Sequence, residues 1–81
     1  MIYIVYDDAG MRRFLHANLR EALAAARADS NTYLGAERTV TLDSAEIALV
    51  RDGRVIWRRP VSEAKREAAA HRAELAALGS G

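Results

Sequence analysis

Asp7 and Asp8 stand where a short apolar segment, Ile2 to Tyr6, gives way to polar sequence. Carboxylates at the carboxyl end of a strand can hold Mg²⁺ or move protons. A metal site needs several convergent oxygens, so the fold would have to bring Asp29, Asp43 or Asp52 alongside them. On that reading the chain is a metal-dependent enzyme, such as a small nuclease. The local reading is a turn followed by a helix, with Asp8 as N-cap, where negative charge is favourable. We prefer the local reading and assign no catalytic residue, no metal and no other cofactor.

The remaining reactive residues are sparse. His16 and His71 form no pair at metal-ligand spacing. The chain has no cysteine, which removes thiol catalysis, disulfides and thiolate zinc sites. A cysteine-free chain fits a reducing compartment, and the expected location is the cytoplasm. No serine stands in a nucleophile elbow, and Gly10 and Gly35 form no phosphate loop.

Arginine is the better lead. The chain carries 12 basic and 11 acidic residues for a net charge of +1, and Lys65 is its only lysine. Arg13, Arg20 and Arg27 recur at intervals of seven, with His16 on the flank. On one helix they form a candidate binding surface for an acidic protein or a phosphate backbone. Arg51, Arg54, Arg58 and Arg59 add positive charge around a hairpin. Near-neutrality of the whole chain weighs against nucleic acid as the main partner. Trp57 and the tyrosines are read as core.

These residues need elements to position them. Ile2 to Tyr6 reads as a strand. Met11, Leu15, Leu19, Ala22, Leu23 and Ala26 share one stripe at helical spacing, which predicts a helix from Met11 to Ala28 that ends at Asp29-Ser30-Asn31. Thr32 to Leu42 reads as extended, with Gly35 at a bend, and Asp43-Ser44 as a turn. Asp52-Gly53 between two apolar runs predicts a two-residue type I′ hairpin. Arg51 then faces Arg54, Val50 faces Val55, Leu49 faces Ile56 and Ala48 faces Trp57. A helix over Ser44 to Val50 is the competing reading there. Pro60 and Ser62 open a second helix that Gly79 closes.

The expected fold class is α+β: three or four mostly antiparallel strands with two helices packed on one face, in the order β-α-β-β-β-α. Residues 1–78 form the single domain expected of 81 residues, and 79–81 a flexible tail. No apolar run approaches the ~20 residues of a membrane span. On the second helix Val61, Ala64, Ala68, His71, Leu75 and Leu78 alternate at three and four, the spacing of a seam between packed helices. Most of the stripe is read as packing on the chain's own sheet, with a second copy or another protein as the other occupant. The expected function is a small non-enzymatic protein-binding domain: a regulator, inhibitor or complex subunit. Nucleic-acid binding through the arginine face of helix one is the alternative.

Overall fold

The computed structural model describes residues 1–33 and 35–79. Its elements, in chain order, are β1 (Tyr3–Tyr6), β2 (Arg12–His16), α1 (Leu19–Thr32), β3 (Glu37–Leu42), β4 (Ala45–Arg51), β5 (Arg54–Arg58) and α2 (Val61–Gly79). The class is α+β. The sheet has five strands in the order β2-β1-β3-β4-β5, with every neighbouring pair antiparallel.

The additional strand is β2, which replaces the first half of the expected first helix. Two local signals separate it from α1. Asp7 accepts hydrogen bonds at Oδ1 from the N–H groups of Ala9 (3.0 Å) and Met11 (2.9 Å). Gly10, at φ +79°, donates to the Asp7 carbonyl and closes a hairpin turn. Further on, Asn18 is the N-cap of α1, its Oδ1 accepting from Glu21 N–H at 2.8 Å. The chain therefore turns back as a strand before any helix begins. The apolar stripe from Met11 to Ala26 is shared between a strand and a helix. Asp8, expected as a helix cap, bonds elsewhere.

α1 lies against β1 to β4 and buries Ala22, Ala26 and Ser30, one residue per turn. The sheet face beneath it carries Tyr3, Val5, Val40, Leu42 and Val50, all buried. Full burial of a Val or Leu side chain contributes ~1.5–3 kcal/mol. The helix runs to Thr32, past the expected stop, because Asp29 and Ser30 are used in tertiary bonds. Ser30 Oγ accepts from Gly53 N–H at 2.9 Å.

The β4–β5 hairpin turns at Asp52 (φ 51°) and Gly53 (φ 76°), as a type I′ turn requires. Arg51 faces Arg54 and Val50 faces Val55, but Leu49 faces Trp57 and Ala48 faces Arg58. A bulge at Ile56 shifts the pairing by one residue, which moves Trp57 to the face opposite the core. Ser44 to Val50 contains no helix, and β4 starts at Ala45.

α2 lies against β3 and β4 near the Asp43–Ser44 turn. Arg59 holds it there. Its guanidinium donates to the Glu46 carbonyl and pairs with Glu63 and Glu67. Arg72 pairs with Asp43 at 3.6 Å. Every described residue of α2 after Ala68 is exposed. Gly79 belongs to the helix, and the rest of the expected tail, residues 80 and 81, lies outside the described residues. Among the described residues no helix is long and apolar enough to cross a membrane.

Candidate functional site

The expected arginine face is not assembled. Arg13 and His16 lie on β2, while Arg20 and Arg27 lie on α1. Arg13 is turned onto Asp29, with Nε at 2.6 Å and a second guanidinium N–H at 2.9 Å. Arg27 donates to the Gly53 carbonyl at 3.0 Å. His16 Nδ1 is 3.8 Å from a Glu21 carboxylate oxygen, and its Nε2 is enclosed with no partner among the described residues. Arg20 alone of the four projects without a bonded neighbour among the described residues.

Asp29 is the centre of a charged cluster that joins α1 to the sheet. Besides Arg13 it takes a hydrogen bond from Nε of Arg38, whose side chain is buried under α1 on β3. Arg38 also donates to Asp8 Oδ1 at 3.0 Å and to the Glu37 carbonyl at 2.8 Å. The Tyr33 ring lies 5.7 Å from the Arg13 guanidinium carbon and 5.8 Å from that of Arg38. Burial alone would raise the Asp29 pKa. The hydrogen bonds from Arg13 and Arg38 outweigh it and hold the carboxyl below its ordinary range. The Arg13 pKa is raised by its hydrogen bond to Asp29, against a smaller opposing effect of desolvation.

This cluster uses its members in structural bonds. Asp8 is held by Arg38 and by Glu37 N–H at 2.8 Å, and Asp7 closes the β1–β2 turn. Asp29 meets Asp8 only through Arg38, which lies between them as a cation. Among the described residues no three acidic or histidine side chains gather in a way that could hold a metal ion.

The proposed seam on α2 divides in two. Ala64 and Ala68 are buried, and Val61 packs half-buried against the same core. His71, Leu75 and Leu78 are exposed, Leu75 to 55% and Leu78 to 80%. Glu67, one turn before His71, is engaged by Arg59. His71 instead borders a shallow depression with Asp43, Ser44, Ala45, Ala68 and Glu74.

The sheet surface opposite the core carries two cross-strand rows. One runs Trp57, Leu49, Thr39, Tyr6, and the other Thr41, Ile4, Leu15. Leu15 and Trp57 are exposed, while Ile4 and Leu49 are half-buried. This surface continues onto β5, where all five residues are exposed. Trp57, expected in the core, is 41% exposed, with the Arg59 guanidinium carbon 5.8 Å from its ring. The charge around β5 was legible in the sequence, but the exposure of Trp57 was not, because it depends on the bulge. No protein-family model, curated protein or solved structure significantly matches the chain.

Proposed function

We propose that this chain is a non-enzymatic protein-binding domain that works in the cytoplasm as a regulator, inhibitor or complex subunit. The observation that carries the reading is the placement of its exposed large apolar side chains. Five of them fall into two groups, apart from Met1, Ile2, Met11, Leu15 and Tyr33: Val55, Ile56 and Trp57 follow one another on β5, and Leu75 and Leu78 share the last turns of α2. Contiguous exposed apolar groups beside charged residues are the ordinary make-up of a protein contact. The structural duties of Asp7, Asp8 and Asp29 favour binding over chemistry, and the dispersal of the arginine face favours protein over nucleic acid.

The partner is another protein or a second copy of the chain, which would meet at His71, Leu75 and Leu78. Two measurements test this. Sedimentation equilibrium at micromolar concentration reads self-association. A photo-crosslinking residue at Trp57 or Leu75, compared with one at exposed Ala24 on α1, reads heterologous contact in an extract of the native host. A strict monomer that crosslinks equally at all three positions overturns the proposal. Support requires a discrete adduct that is specific to Trp57 or Leu75 and lost on competition with unlabelled protein, or a dimer that Leu75→Glu dissociates.

A further inference from the structure

β5 is an edge strand, hydrogen-bonded to β4 on one side only. Its outer N–H and C=O groups are free to accept another strand. Its side chains change in character along its length: Arg54, then Val55, Ile56 and Trp57, then Arg58. Among the described residues the side chain of neither Arg54 nor Arg58 has a hydrogen-bond or ion-pair partner. Four acids of the surrounding elements are already engaged. Glu37 pairs with Arg51, Asp52 accepts from Gly35 N–H, and Glu63 and Glu67 pair with Arg59. The edge therefore presents three apolar side chains between two uncompensated cations.

We infer that the free edge of β5 docks an extended acidic peptide segment with an apolar centre, which adds to the sheet as a sixth strand. The inference rests on reading the chain as a protein-binding domain, and it names the partner's chemistry. Charge selects the occupant. A second copy pairing antiparallel about Ile56 would set Arg54 opposite Arg58 of the other molecule at both ends. Like charges directly opposed across strands are destabilising. An acidic segment turns both repulsions into charge-assisted contacts, while backbone pairing supplies affinity. Val55 and Trp57 then offer one apolar contact on each side of the added strand. A nucleic acid could meet the arginines and stack on Trp57, but it would leave the backbone ladder unused.

The test is a titration of the full ¹⁵N-labelled chain, read as amide shifts. The probe is a blocked heptapeptide with a Val-Ile-Val centre and two glutamates at each end. The expected result is saturable shifts concentrated at Arg54 to Arg58. Binding should weaken about tenfold or more when the glutamates become glutamines, equivalent to ~1.4 kcal/mol or more. N-methylation of the central amides should abolish it. The double variant Arg54→Glu, Arg58→Glu alters exposed residues only, and its fold is checked by amide dispersion. It should lose the acidic peptide and gain one with lysine ends.

Several results overturn the inference: no shifts at β5 up to millimolar peptide, equal binding of the glutamine peptide, undiminished binding after N-methylation, or β5 shifts produced by oligothymidylate and not by the peptide. If the peptide is silent but crosslinking at Leu75 yields a specific adduct, this inference falls and the protein-binding reading stands. If both fail, both fall.

Discussion

The two edges of the sheet are built from similar strands and are treated in opposite ways. β2 and β5 each have five residues, and each mixes arginine with bulky apolar side chains. On β2 a bulge turns Arg13 inward to Asp29, and α1 packs against the strand, leaving Phe14 and His16 half-buried. On β5 a bulge turns Trp57 outward, and nothing in the described structure covers the strand. Arginine on an edge is thus an anchor where the neighbouring layer holds an acid, and an open charge where it does not. Asp29 makes the difference for β2, and β5 has no counterpart of it.

Removing that anchor should have the largest effect. Asp29→Ala leaves Arg38 as a buried cation short of its main acceptor and frees Arg13. Breaking a buried pair on one side costs ~3–5 kcal/mol, much of the total stability of a domain this small. Urea denaturation should show a large fall in midpoint, and hydrogen exchange should accelerate on β2 before β5. A change below ~1 kcal/mol would mean that the two edges do not differ as described. The pH dependence has the same origin. The folded Asp29 pKa lies below its ordinary value of 3.8. Its stabilisation is therefore present above about pH 4 and is lost as pH falls through the lower folded value. Denaturation midpoints of the wild type should drop across that acid window, and Asp29→Ala should remove part of the slope.

The next effect concerns what holds β5 in place. Gly53 has φ +76°, and a Cβ there would lie 3.1 Å from Asn31 Cβ on α1. Gly53→Ala should cost ~1–3 kcal/mol, from left-handed strain and the clash together. A neutral result would contradict the docking of this turn on α1. The other tight turn predicts a gain. Asp43 and Ser44 have φ 49° and 71° without a glycine. Ser44→Gly should stabilise by ~0.5–1 kcal/mol, as far as relief of strain exceeds the greater freedom of glycine in the unfolded chain. Thermal melting distinguishes the two signs.

What was legible in the sequence was what is decided within a few residues. The Asp52-Gly53 turn announces itself because both central positions need positive φ, and β1 and α2 are continuous in pattern. β2 was hidden because Leu15, Leu19, Ala22 and Ala26 fit one helical stripe. The signals that divide them, the Asp7 turn and the Asn18 cap three residues before Glu21, are weaker than a six-residue periodicity. The Asp29, Arg13 and Arg38 cluster joins a helix and two strands that are not sheet neighbours, so no local pattern encodes it. The exposure of Trp57 turns on one bulged residue, since a one-place shift moves a side chain to the other face of a sheet.

The smallest expected effect decides where β2 ends and α1 begins. If one helix ran from Met11, Arg20 would lie in its middle, and Arg20→Glu would be close to neutral. With Asn18 as the N-cap, Arg20 is the second helical residue, in the first turn. There the uncapped N–H groups and the helix dipole favour an acid over a base. Arg20 has no partner among the described residues to lose. Arg20→Glu should therefore stabilise the protein by ~0.3–1 kcal/mol at low ionic strength, less the repulsion from adjacent Glu21. The gain should shrink in high salt, where exposed charges are screened. Denaturation at low and high salt measures it. A neutral result, with no difference between low and high salt, would mean that the chain around Arg20 is mid-helix, that β2 is not a strand, and that the contrast between the two edges has no basis.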